Sequence, residues 1–179
     1  MTDTNPLVLI RTEEGDMTIR VFLDKAPISG SNFLRYVDGG FLDGQSVFRI
    51  VTLDNENPKR QHSIEALHWG WLPKDDKDPQ PFPDIPHEPT TVTGLTHKYG
   101  SVSMARYAPG VSGPSFSIMM RDDPEMDFGG KRQPDGQGFC AFGQVESGFD
   151  TMAKLFARAE GEPWLKTRIP IHSAARIEG

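Results

Sequence analysis

Few residues in this chain are placed to do chemistry, and the run Val47-Phe48-Arg49-Ile50-Val51 holds the best placed of them. β-Branched and aromatic residues around a single arginine read as a strand, in which alternate side chains face opposite ways. Val47, Arg49 and Val51 are then expected on one face, and Phe48 and Ile50 on the other. One face feeds a core while the other holds a guanidinium over apolar ground, permanently charged and with several N–H donors in a rigid fork. The plainer reading of this segment alone is a half-exposed strand with a solvated arginine.

Other chemistries fail on spacing. Gly129-Gly130-Lys131 suggests a phosphate loop, but the earlier glycine would fall at Pro124, and Arg132 stands where Ser or Thr should meet magnesium. Gly113-Pro114-Ser115-Phe116-Ser117 has Ser117 where a nucleophile elbow needs its last glycine. His62, His68, His87, His97 and His172 show no paired metal spacing, and His87-Glu88 lacks a zincin's second histidine, so no metal or cofactor is expected. Asp122-Asp123 beside Pro124 reads as solvated turn charge. Cys140, the single cysteine, reads as a buried inert thiol, and its solitude rules out an intrachain disulfide.

At 179 residues the chain fits one domain, 1–179. A net charge of -6 argues against nucleic acid as a partner, since Lys59-Arg60 and Lys131-Arg132 are the only basic doublets. No apolar run approaches the roughly 20 residues a membrane helix needs. Met1 to Pro6 lack a signal peptide's basic and apolar regions, so a cytoplasmic location is expected, and the chain is expected to be a monomer.

The elements that must position Arg49 follow from periodicity. Leu7 to Thr12 and Met17 to Phe22 form a hairpin across Glu13-Glu14-Gly15-Asp16. Pro27 opens a helix carrying Phe33, Tyr36 and Val37, which Gly39-Gly40 closes. Residues 52–89 form a proline-rich surface excursion with one short strand, Ile64 to Gly70. Strands are expected at 100–106, 114–120, 139–145 and 168–177, and Phe149, Met152, Leu155 and Phe156 space a second helix. About eight strands with two helices suggest an antiparallel barrel or sandwich whose openings the helices cover.

The string of motifs resembles the cyclophilin-type peptidyl-prolyl cis-trans isomerases of bacteria over almost the whole chain. It includes Ala26-Pro27 with Asn32-Phe33, Asp38-Gly39-Gly40-Phe41, Phe48-Arg49-Ile50, His87-Glu88-Pro89, Ser103-Met104-Ala105-Arg106, Asp127-Phe128-Gly129-Gly130-Lys131 and Asp135-Gly136-Gln137-Gly138-Phe139. The resemblance implies a mainly β fold, a closed eight-stranded antiparallel barrel capped by two helices. It implies isomerisation of X-Pro bonds in proline-containing peptides or unfolded chains, with Arg49 catalytic. Phe48, His68, Ala105, Arg106, Met126 and Phe139 are then substrate-binding, as are Ser115 and Ser117, where the family has glutamine and a pocket-floor phenylalanine. Glu65 replaces another pocket phenylalanine, and Trp69 or Trp71 is available to refill the space. These departures keep open a module that binds proline segments with little catalysis.

An arginine suffices for the implied reaction. Resonance sets a barrier of about 18 to 20 kcal/mol to rotation. At the twisted transition state the prolyl nitrogen regains a lone pair that a fixed guanidinium can bond, favouring that state over the planar one.

Overall fold

The computed structural model describes residues 4–179, so the first half of the leader reading over Met1 to Pro6 lies outside the described residues. Eight strands close into a barrel: β1 (Leu7–Thr12), β2 (Gly15–Val21), β3 (Ser46–Val51), β4 (Ala66–Gly70), β5 (Ser101–Met104), β6 (Ser115–Met119), β7 (Ala141–Ser147) and β8 (Trp164–Ile177). Their order around the barrel is β1-β2-β7-β5-β6-β4-β3-β8, and every pairing is antiparallel. The expected barrel is therefore the observed one. Three helices accompany it, α1 (Pro27–Asp38), the single turn α2 (Thr90–Thr93) and α3 (Phe149–Phe156), together with a 3-10 turn at Pro124–Met126. Within residues 52–89, β4 is the one strand among the described residues.

Alternation along the strands sends one set of side chains inward, where Ile10, Ile19, Val47, Ile50, Leu67, Trp69, Val102, Phe116, Ile118 and Phe142 form the interior core. Helix α1 adds Phe33 to it, edge-on to Phe116 at 5.0 Å and to Trp69 at 5.8 Å. Trp69 and Trp71 both belong to this interior, so neither refills a pocket on the outside of the barrel.

The start of α1 is fixed from outside the helix. Pro27 occupies its first turn and Ala26 offers no capping side chain, but the buried Glu88 accepts from Ile28 N–H at 3.1 Å and Ser29 N–H at 2.9 Å. A carboxylate there satisfies two orphan donors and meets the positive end of the helix dipole. This explains the His87-Glu88-Pro89 motif as scaffold. Glu88→Ala is expected to cost about 1–3 kcal/mol in urea unfolding, through the amides it orphans.

One strand departs from simple alternation. The register of β3 shifts between Val47 and Arg49 against both neighbours: Val47 faces Trp69 and Ile169, Arg49 faces His68 and Trp164, and Phe48 has no partner. This is a bulge, which re-aims side chains. Val47 joins Ile50 inside, not Arg49 outside, and Phe48 leaves Ile50's face to stack on Trp164 with centroids 5.4 Å apart. Arg49 and Val51 stay together on the outer face, as expected.

Candidate active site

The outer face of β3, β4 and β6 carries a second apolar cluster, separate from the interior: Val51, Ile64, Ala66, Met119, Met126 and Phe139. Each strand member alternates with an interior neighbour, as Ala66 does with Leu67 and Met119 with Ile118. Met126 and Phe139 arrive from loops and are tied together, since Phe139 N–H donates to Met126 C=O at 2.9 Å. Asp123 secures the 3-10 turn that delivers Met126 by accepting from Glu125 N–H.

Arg49 stands at this cluster's edge, its side chain 14% exposed. It donates through Nη1 to His68 Nδ1 at 3.0 Å and through Nη2 to Glu56 Oε1 at 3.4 Å. Its guanidinium carbon lies 6.0 Å from the Trp164 ring, on which Phe48 also stacks. Phe48 therefore steadies the platform under Arg49 and lies outside the apolar cluster itself.

Glu56 and Arg132 are the residues that sequence reasoning missed. Arg132 grips Glu56 in a bidentate pair, Nη1 to Oε2 at 2.6 Å and Nη2 to Oε1 at 2.5 Å, and both side chains are only 3% exposed. Glu56 is delivered by a local turn: Thr52 Oγ1 accepts from Asp54 and Asn55 N–H, and Asn55 Nδ2 donates to Ile50 C=O at 2.9 Å. Burial alone would raise the Glu56 carboxyl, but the Arg132 hydrogen bonds and the charges of Arg132, Arg60 and Arg49 outweigh it and hold it below the usual value. Burial lowers Arg49, with Glu56 opposing the shift.

His68 shares the β3–β4 register with Arg49. Burial, followed by the charges of Arg49, Arg132 and Arg60, pushes its imidazole well below the ordinary histidine value. The ring is therefore neutral at physiological pH, with Nδ1 accepting from Arg49 and Nε2 carrying the proton. The unfolded chain takes up that proton below about pH 6.5, whereas the native state refuses it. Stability present above pH 6.5 is thus expected to fall as the medium is acidified, by up to about 1.4 kcal/mol per pH unit, until the native value is passed. Urea unfolding at several pH values should show this slope, and His68→Gln should flatten it.

Ser117 lies across the ladder from His68, buried, and its Oγ has no hydrogen-bond partner among the described residues. Glu65, half-buried, approaches Arg121 at 3.6 Å and contributes no apolar wall. Ala105 and Ser115 are neighbours on the flank, where Ala105 N–H donates to Ser115 C=O at 3.2 Å. Arg106 is tied into the neighbouring turn. Its guanidinium is buried, paired with Asp135 at 2.8 and 2.9 Å, and its Nε donates to Gly138 C=O at 2.7 Å. It also lies 5.1 Å over the Phe139 ring, so it fixes the turn that presents Phe139. Gly138 is needed there: its φ is +63°, and a Cβ would come within 2.5 Å of the Asp127 backbone.

Asp127, His97 and Ser103 form a chain shaped like a hydrolase triad, with Asp127 Oδ1 to His97 Nδ1 at 2.7 Å and His97 Nε2 to Ser103 Oγ at 2.9 Å. It does no nucleophilic work. Ser103 is wholly buried and its hydroxyl donates to Cys140 C=O at 2.9 Å, so no acyl group can reach it. The chain is a clamp between the Asp127 loop and the barrel. Cys140 is equally inert: burial pushes its thiol up to about 12, and Ser29 Oγ bonds its sulfur at 3.0 Å.

The barrel thus carries Arg49 on the same outer face as a small, buried apolar cluster. Residues 7–176 match the family described as cyclophilin type peptidyl-prolyl cis-trans isomerase/CLD, and the chain belongs to that family. It is 30% identical over 165 residues to peptidyl-prolyl cis-trans isomerase B of Escherichia coli strain K12, covering 92% of each chain. It is 28% identical over 153 residues to peptidyl-prolyl cis-trans isomerase A of Dickeya dadantii, covering 85% of this chain and 72% of that one. A solved cyclophilin type peptidyl-prolyl cis-trans isomerase of Cryptosporidium parvum superposes with a TM-score of 0.72 at 18% identity, over 98% of this chain and 99% of that one. The same protein was also solved in the presence of the dipeptide Ala-Pro, with a TM-score of 0.70 at 18% identity and 97% and 99% coverage.

Proposed function

We propose that this chain is a peptidyl-prolyl cis-trans isomerase that accelerates rotation about X-Pro bonds in peptides and unfolded chains, and so assists protein folding. Arg49 is its catalytic group, and Val51, Met119, Met126 and Phe139 receive the prolyl ring. The observation that carries this reading is the position of Arg49 on the same outer face as the apolar cluster, with its Nη1 3.0 Å from His68 Nδ1. Membership of a family whose relatives bear the isomerase name supports it further.

The division of labour follows from the geometry. The apolar residues hold the ring while the acyl side turns. Arg49 donates to the prolyl nitrogen as it pyramidalises, a bond available only in the twisted state. His68 and Glu56 limit the guanidinium to a narrow range of orientations, and a pre-oriented donor pays no reorganisation cost at the moment of reaction. No cofactor enters this chemistry. Because Ser117 offers no aromatic floor, the ring is held more weakly than over a phenylalanine, and cyclosporin-like ligands bind weakly for the same reason.

The protein acts as a cytoplasmic monomer in this reading; no helix among the described residues is long and apolar enough to cross a membrane. Exchange NMR on a short neutral proline peptide with a sub-stoichiometric amount of protein tests the activity. Cis-trans exchange well above the uncatalysed rate supports it. Saturable binding at the uncatalysed rate would instead mark a proline-binding module.

A further inference from the structure

The chain's two basic doublets, far apart in sequence, meet at one place. Lys59, Arg60, Lys131 and Arg132, with Asn57 and Pro134, line a cavity of about 170 Å³. This cavity adjoins the catalytic arginine through Glu56, because Arg60 and Arg132 approach the same Oε1 that Arg49 reaches, at 3.6, 2.5 and 3.4 Å respectively. One carboxylate thus answers three guanidinium groups. The ammonium groups of Lys59 and Lys131 have no ion pair among the described residues, and the nearby Glu125 is engaged by Lys131 backbone N–H at 2.8 Å. An excess of positive charge beside the site of reaction, in a chain whose net charge is -6, calls for an anion brought from outside.

We propose that this cavity takes an acidic side chain of the substrate, so that X-Pro bonds with Glu or Asp a residue or two from the proline are isomerised in preference to uncharged ones. The proposal rests on the isomerase reading and names its substrate class. Two lysines and a partly exposed arginine acting together on one carboxylate give an expected preference of about tenfold in kcat/KM. Raising the salt concentration should shrink it.

The test is a set of short proline peptides carrying one Glu at successive positions on either side of the proline, each compared with its Gln counterpart by exchange NMR. The expected result is about tenfold faster catalysed exchange for Glu at one position or more. In a Lys59→Ala/Lys131→Ala double variant the Glu-to-Gln ratio should fall towards one. Ratios within about twofold at every position would overturn the proposal while leaving the isomerase reading intact. Catalysis of none of the peptides would instead strike the isomerase reading. Binding of the same peptides then decides for the cavity: tighter binding of a Glu peptide that the double variant abolishes supports it, and equal binding of Glu and Gln peptides overturns it.

Discussion

Arg49→Ala is expected to lower kcat/KM for a neutral proline peptide by about 10²–10³-fold, the usual cost of deleting a pre-aligned donor that bonds a transition state. The loss should fall mainly on kcat, because the apolar residues that hold the ring remain and the bond in question forms only as the amide twists. The fold should survive. Glu56 keeps its bidentate Arg132 partner and the nearby Arg60, so no buried carboxylate is orphaned. His68 Nδ1 loses its donor, a smaller cost. Arg49→Lys is expected to recover only part of the rate, since an ammonium cannot reach His68, Glu56 and substrate in the geometry of a planar fork. A drop in rate matched by an equal drop in stability would indicate that the variant had damaged the scaffold instead.

Glu56→Ala is expected to be the most damaging substitution to stability, about 3–5 kcal/mol in urea unfolding, because it strands a buried guanidinium. Arg132 would keep only the His62 C=O bond at 3.0 Å, and Arg49, Arg60 and Arg132 would repel one another without their shared counterion. The same group governs behaviour in acid. Its native pKa is depressed, so its contribution is present above the unfolded carboxylate value and lost as pH falls through the lower native one. Acid unfolding should therefore shift to higher pH in this variant. A loss under about 1 kcal/mol would mean that the three cations find adequate solvation without Glu56.

Most of the architecture was legible because it rests on period-two alternation and on helix punctuation. The boundaries of β1 matched Leu7 to Thr12, and Pro27 and Gly39 marked the two ends of α1. What was not legible depended on long-range contacts. A strand reading assumes unbroken alternation, and nothing in Val47-Phe48-Arg49 announces a bulge, so the faces of Val47 and Phe48 came out reversed while that of Arg49 did not. Strand β5 stops at Met104 because Arg106 turns to Asp135 and Gly138, and β7 starts at Ala141 because Phe139 leaves the ladder to pack beside Met126. Strand β8 begins earlier than Arg168, at Trp164, whose ring stacks on Phe48.

The site was legible as far as its motifs run. Arg49 and His68 come together, Met126 and Phe139 meet Met119 of β6, and Ser117 lies across the ladder from His68. The ion cluster behind them is not visible in the sequence, since Glu56 and Arg132 lie 76 positions apart and no spacing pattern links them. Arg132 lies in a basic doublet, and only its burial in the structure sets it apart from a surface arginine. The Asp127-His97-Ser103 clamp was hidden for the same reason, its histidine having looked like one of five scattered ones.

The most direct test joins turnover to location. A neutral Ala-Pro-containing peptide is titrated into isotopically labelled protein while its cis-trans exchange is followed. Exchange far above the spontaneous rate is expected, with amide shifts centred on Arg49, His68, Met119, Met126 and Phe139. Spontaneous-rate exchange, or shifts confined to another face of the barrel, would contradict it.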